Sequence, residues 1–187
     1  MQNAKIKDLI KTYDGCLTVD QCSSLIDFFN QHSNKHIVNG AVAGPGLSES
    51  AWTELNLGKL FSQDQINLFV ANINKYKKRY EVDCGLPELP AARRYAELIH
   101  KRYKPSSKEK FQPHFDSLRE VSNRYLVFLW YLNDVSVGGE TTFTELGVNI
   151  KPKAGRLLIF PPYWMYIHAG LPPISNEKHI ISTYFLW

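Results

Sequence analysis

Four side chains constrain this chain more than anything else in it: His114 and Asp116 in Gln112-Pro113-His114-Phe115-Asp116-Ser117, then His168 and Lys178 far downstream. In an extended strand, residues two apart point to the same face, so His114 and Asp116 set an imidazole beside a carboxylate. One metal ion can take both. His168 is the best third ligand, because it follows the strand-like run Arg156-Leu157-Leu158-Ile159-Phe160 and closes residues 163–168, which read as continuing the sheet. Two His and one carboxylate on one face of an ion leave its other positions open. Lys178 opens the apolar run His179-Ile180-Ile181-Ser182-Thr183-Tyr184-Phe185-Leu186-Trp187. A cation placed there is buried, and a buried cation needs an anion. The fold must therefore bring several strands, distant in sequence, around one cavity.

The remaining pattern supplies those strands. Thr18-x-x-Gln21 reads as a capping box, and Cys22, Leu25, Ile26 and Phe29 then fall on one face of a helix reaching about His32. Ser62-x-x-Gln65 is a second capping box, followed by Ile66, Phe69, Val70 and Ile73 in a helix ending near Tyr80. Residues 5–13 read as a short helix or strand, 39–50 as a loop, 52–60 as ambiguous and 81–90 as a break. From Tyr95 the character changes to strands, over 94–103, 111–116, 124–133, 140–144, 148–151, 156–160, 163–168 and 178–186. Two helices and then many short strands predict an α+β chain. Its core is a two-sheet sandwich or jelly roll, with the N-terminal helices packed on one sheet. At 187 residues a single domain is expected, with 1–90 as helical support and 91–187 as the strand core.

Composition excludes several classes. Three cysteines, Cys16, Cys22 and Cys84, with no CxxC spacing argue against a disulfide framework or a zinc site. No window approaches a membrane span, and Met1-Gln2-Asn3-Ala4-Lys5 leads into no signal-like apolar core, so cytoplasm is the expected location. A net charge of +4, densest at Lys75-Tyr76-Lys77-Lys78-Arg79, reads as a solvated helix face, and no nucleic-acid partner is expected. Oligomeric state is not legible.

His114-x-Asp116, His168 and Lys178 resemble the signature of 2-oxoglutarate- and Fe(II)-dependent dioxygenases, in their prolyl 4-hydroxylase-like branch. Trp130-Tyr131-Leu132-Asn133, Gly138-Gly139-Glu140-Thr141-Thr142-Phe143 and Val148-Asn149-Ile150-Lys151-Pro152-Lys153-Ala154-Gly155-Arg156 fit the same branch in order and spacing. The likeness runs from about Tyr95 to the C-terminus and more weakly back to Thr18. It implies a double-stranded β-helix (jelly-roll, cupin-like) with the site between its sheets. Fe(II) would sit on His114, Asp116 and His168, with 2-oxoglutarate chelating the ion and its far carboxylate on Lys178. Dioxygen is then the second co-substrate, ascorbate the reductant, and a proline-containing peptide or protein the substrate.

Further positions carry over from that resemblance. The resemblance implies that Tyr103 or Tyr131 offers a hydroxyl to the far carboxylate, against a reading of each as core packing. Ser182 keeps a hydroxyl where relatives have Thr. Gly138-Gly139 reads as a turn rather than a ligand contact. Arg124 matches an arginine that reaches the peptide, and Tyr184 stands where relatives stack a Trp at the site mouth. The loops at 43–50 and 104–110 are candidates to fold over a bound peptide. Nucleic-acid demethylation is disfavoured, because that branch has an arginine after the distal His and the last arginine here is Arg156. Two alternatives stay open: the same chemistry on a free amino acid or other small molecule, and a non-catalytic cupin-like binding module.

Overall fold

A computed structural model describes residues 6–43, 47–88, 94–105 and 107–187. Both capping boxes form. The Thr18 hydroxyl accepts the Gln21 amide at 3.1 Å while the Gln21 side chain accepts the Thr18 amide at 2.9 Å, opening α1 (Val19–Gln31). Ser62 and Gln65 do the same for α2 (Gln63–Asp83), which runs about one turn past the expected end. In each helix a reciprocal pair satisfies two backbone donors that the helix itself cannot.

Among the described residues, twelve strands follow the chain in two antiparallel sheets. The major sheet takes β1 (Lys11–Tyr13), β2 (Ile37–Gly40), β3 (Ala51–Asn56), β4 (Arg94–Tyr95), β5 (Ile99–Tyr103), β7 (Arg124–Tyr131), β10 (Leu157–Phe160) and β12 (Lys178–Leu186). Its order is β1-β10-β7-β12-β5-β3-β2, with β4 also paired to β12. The minor sheet takes β6 (Phe111–His114), β8 (Thr141–Phe143), β9 (Val148–Ile150) and β11 (His168–Gly170), in the order β6-β11-β8-β9. Their arrangement is that of the expected double-stranded β-helix.

Strand β7 shows why both layers were needed. It reads as an unbroken apolar run because both of its faces are covered. Leu126, Phe128 and Trp130 pack with Phe29, Phe69, Ile73, Tyr76 and Tyr80 of the two helices. Val127, Leu129 and Tyr131 point the other way and pack between the sheets with Trp52, Tyr103, Phe143, Leu158, Phe160 and Ile180. Buried Trp130 satisfies its indole N–H on Asn72 Oδ1 of α2 at 3.0 Å.

Several expectations are corrected. Residues 163–168 are not a strand: a 3-10 turn over Trp164–Tyr166 precedes β11, which begins at His168. The turn lets Tyr166 bury and donate to the Ile6 carbonyl at 3.2 Å, while the Pro162 carbonyl before it takes the amides of Asp116 and Ser117, each at 3.0 Å. The run 94–103 is split into β4 and β5, because at Ala96 the pairing gives way to contacts with the Tyr184 carbonyl and the Thr183 hydroxyl. The N-terminal part is more than helical support, since β1, β2 and β3 extend the major sheet at both edges. Residues 1–5, 44–46, 89–93 and 106 lie outside the described residues, and with them the N-terminal segment and parts of the 81–90 break and of both expected covering loops. The three cysteines are free. Among the described residues no helix is long and apolar enough to cross a membrane.

Candidate active site

His114 ends β6 and His168 begins β11, and the two are direct partners in the antiparallel register. Asp116 lies two residues past His114, where its amide is fixed on the Pro162 carbonyl. His114, Asp116 and His168 each offer a ligand atom within 4.8 Å of the others, and no other such cluster occurs among the described residues.

The hydrogen bonds behind the ligands decide their chemistry. His114 Nδ1 stands 2.8 Å from the Gln112 carbonyl and His168 Nδ1 stands 3.0 Å from the Tyr166 carbonyl. A carbonyl can only accept, so both Nδ1 atoms carry hydrogen, and in the neutral rings both Nε2 atoms present lone pairs. Those lone pairs face Asp116, His114 Nε2 at 3.5 Å from Oδ1 and His168 Nε2 at 3.5 Å from Oδ2. The Tyr184 hydroxyl donates to Oδ1 at 2.8 Å, whereas Oδ2 is buried and has no hydrogen-bond partner. Three acceptors with no donor between them repel one another unless a cation stands at their centre. The residues therefore fit a divalent metal.

Protonation states agree with that fit. Burial by itself would raise the Asp116 carboxyl, but the attraction of imidazoles in their charged form and the Tyr184 hydroxyl outweigh it and hold the group below the usual carboxylate range; a cation between neutral rings would act on it in the same direction. Burial, helped by His114, draws His168 down to about 4, so it is a neutral ligand at ordinary pH. Burial and the neighbouring Asp116 push the Tyr184 hydroxyl well up, so it stays a donor.

Lys178 is 1% exposed and lines the same cavity. Its ammonium donates to the Gly139 carbonyl at 3.0 Å, lies 3.5 Å from the Leu171 carbonyl and stands 4.5 Å from the centre of the Tyr103 ring. No carboxylate lies within ion-pair distance of it among the described residues, and burial draws it down to about 7, with Glu140 opposing. Gly139 thus does more than turn the chain. Its φ of +77° aims a carbonyl at the lysine, and a Cβ there would stand 3.2 Å from Val135 and 3.5 Å from the Lys178 stem.

The other expected residues divide. Tyr103 and Ser182 line the cavity with Lys178. Tyr131 does not: it is fully buried behind Thr141, to whose hydroxyl it donates at 2.7 Å. Arg124 and Tyr184 line an outer groove of about 560 Å³ that opens onto the metal cluster. The Arg124 guanidinium stacks 3.8 Å from the Tyr184 ring centre, and its Nη1 donates to the Asp116 carbonyl at 3.1 Å. Of the covering loops, Leu47 lines the groove, and Glu49 is tied to Lys110 and to Gln112. His32 and His36 cap backbone carbonyls of α1, and His100 pairs with His179 at 3.0 Å against Phe29, all away from the cluster.

Sequence reasoning missed Thr141, Lys101 and an aromatic wall. Phe111 stacks on His114 at 3.7 Å and on Trp52 at 4.6 Å, so one apolar face runs from the groove to the metal ligands. The signal for Lys101 was available: it alternates with Ile99 and Tyr103 along β5, which places it on Tyr103's inward face.

Comparison with known proteins points the same way. Residues 99–186 match the 2OG-Fe(II) oxygenase superfamily. A curated relative, "Probable prolyl 4-hydroxylase 11" of Arabidopsis thaliana, is 28% identical over 176 residues, covering 89% of this chain. The chain spans 58% of that relative's length. Among solved structures, the 2OG complex of the viral collagen prolyl hydroxylase of Paramecium Bursaria Chlorella virus-1 is 21% identical. It superposes with a TM-score of 0.67 over 94% of both chains. A Trichoplax adhaerens prolyl hydroxylase, bound to a hypoxia inducible factor peptide fragment, is 17% identical with a TM-score of 0.73 over 98% of this chain and 88% of its own. These two share the fold.

Proposed function

We propose that this chain is a prolyl 4-hydroxylase-like member of the 2OG-Fe(II) oxygenase superfamily and hydroxylates prolyl residues of a peptide or protein. The proposed co-substrates are 2-oxoglutarate and dioxygen, with Fe(II) as the metal and ascorbate as reductant. One observation carries the reading. A single cavity has three converging lone-pair donors at one end and, at the other, a buried ammonium that no carboxylate pairs among the described residues.

Each residue has a role in this reading. His114, Asp116 and His168 hold Fe(II). Bound iron supplies the redox chemistry that couples oxidation of 2-oxoglutarate to succinate and carbon dioxide with transfer of one oxygen atom to a substrate C–H bond. Lys178 neutralises the far carboxylate of the co-substrate. Tyr103 and Ser182 shape its bed, while Thr141, held by Tyr131, closes the side of the cavity. The apolar lining from Val127, Leu129, Phe160 and Ile180 excludes water. The groove takes the peptide, whose pyrrolidine ring lies against the wall of Trp52, Phe111 and His114. The free N–H groups of Arg124 reach the peptide's carbonyls.

The deciding experiment incubates the protein with Fe(II), 2-oxoglutarate, ascorbate and proline-containing peptides. The expected result is a mass gain of one oxygen on the peptide, lost in His114→Ala, Asp116→Ala and His168→Ala together with bound iron. Hydroxylation of free proline with none of any peptide would replace this reading by the small-molecule one. Absence of metal binding in the wild-type chain would leave a binding module.

A further inference from the structure

We propose that Lys101 is a binding subsite for a carboxylate on the substrate, so that the favoured prolyl residue is flanked by an acidic side chain or a free C-terminus. The inference rests on the prolyl hydroxylase reading of the same cavity and narrows its substrate class.

Lys101 is the one side chain between Ile99 and Tyr103 on the inward face of β5, and it lines both the inner cavity and the outer groove. Its neighbours His100 and Arg102 point away, to His179 and to the Thr53 hydroxyl. The Lys101 ammonium stands 5.3 Å from the Trp52 ring centre and 5.4 Å from that of Phe111, at the edge of the stacked wall. Among the described residues it has no hydrogen bond and no ion pair within 4.0 Å. Three N–H donors are thus left to two ring faces, which partly compensate a cation but do not saturate it.

Two carboxylates, Glu54 and Asp116, act on Lys101 at a distance, and neither forms an ion pair with it. Glu54 faces Lys101 directly across the β3–β5 pairing, but its Oε2 accepts the Trp52 indole N–H at 2.7 Å. Its charge favours a protonated Lys101 without occupying the ammonium, against the burial that draws the lysine down. The two ends of the co-substrate have their own partners in the metal cluster and Lys178. Lys101 lines both the inner cavity and the groove, so its ammonium is open to an anion carried by a peptide in the groove. Arg124, the other cation of the groove, spends one N–H on the Asp116 carbonyl and its face on Tyr184.

The test uses the full chain and one proline-peptide frame in four forms: Asp beside the proline, Asn in its place, and Asn with the proline penultimate to a C-terminus that is free in one form and amidated in the other. Wild type should favour Asp over Asn, or the free over the amidated end, by about tenfold or more in kcat/KM, and the form favoured identifies the source of the carboxylate. Lys101→Met and Lys101→Gln should lose that preference while their 2-oxoglutarate affinity, read with Mn(II) in place of iron, stays at the wild-type value. Equal rates on all forms by the wild type would overturn the subsite. Weakened 2-oxoglutarate binding in both variants would assign Lys101 to the co-substrate and overturn it equally. If no proline peptide is hydroxylated at all, the parent reading fails instead. Direct binding of the Asp and Asn peptides to the Mn(II)- and 2-oxoglutarate-loaded wild type then decides whether Lys101 selects a carboxylate.

Discussion

Lys178 carries opposing consequences for binding and for stability. Removing one partner of a buried charge pair costs about 2–5 kcal/mol, so at ~1.4 kcal/mol per decade Lys178→Met should weaken 2-oxoglutarate by roughly thirty-fold to a few thousand-fold. Iron should stay bound, and calorimetry that finds wild-type affinity in the variant would remove Lys178 from the role of anchor. Without ligand the sign reverses. The folded value is drawn to about 7 and the unfolded one is about 10.4, so between these the unfolded chain holds a proton that the folded chain has released. The lysine's contribution to stability is therefore most unfavourable below pH 7 and improves as pH rises toward 10. Lys178→Met should stabilise the ligand-free protein more at pH 6 than at pH 9, as denaturant midpoints at the two values would show. Tyr184 supports a second expectation. Its hydroxyl occupies Asp116 Oδ1 and leaves Oδ2 for the ion. Tyr184→Phe should lower Mn(II) affinity by about tenfold to a hundredfold, the usual effect of losing a partner behind a metal ligand. Unchanged affinity would reduce Tyr184 to a stacking surface for Arg124.

Helix α2 owes its position to one apolar face. Ile73 and Phe69 are buried against Trp130 and its neighbours on the outer side of the major sheet. Ile73→Ala should cost about 2–5 kcal/mol, whereas Thr18→Ala at the exposed start of α1 should cost about 1 kcal/mol. Equal losses in urea melts would contradict this ranking of burial over capping. The elements that were legible in the sequence share a local cause. Both helices begin at side chains that bond their own backbone three residues on, and β7 and β12 are long enough to betray themselves by apolar content. What was not legible depends on distant partners. Lys11–Tyr13 becomes a strand only because β10 lies beside it, and Trp164–Tyr166 becomes a turn only because Pro162 must receive two amides from the loop after His114. In the site, the His-x-Asp spacing exposed the ligands, but Tyr131 and Thr141 could not be ranked, because the sequence does not say which of two buried hydroxyl groups fronts a cavity.

Taken whole, the molecule divides its site between a long sheet and a short one. The proposed metal ligands belong to β6, β11 and the loop after β6 in the short sheet, while Lys178, Tyr103, Ser182 and Tyr184 belong to the major sheet, whose β7 and β12 are eight and nine residues long. Amides of β6 and β11 should exchange by local opening, well ahead of those in β7 and β12. Mn(II), by joining His114 to His168 across that register, should narrow the gap, and a gap unchanged by metal would mean that the ligands do not share the ion. The same four side chains also set what the fold gives up for its site. Facing lone pairs and an ammonium without a counter-ion are liabilities to a folded chain, and nearly any apolar replacement at these positions would relieve them. Stability alone thus argues against His114, Asp116, His168 and Lys178 standing together, and a bound cation with a bound carboxylate would offset what each costs.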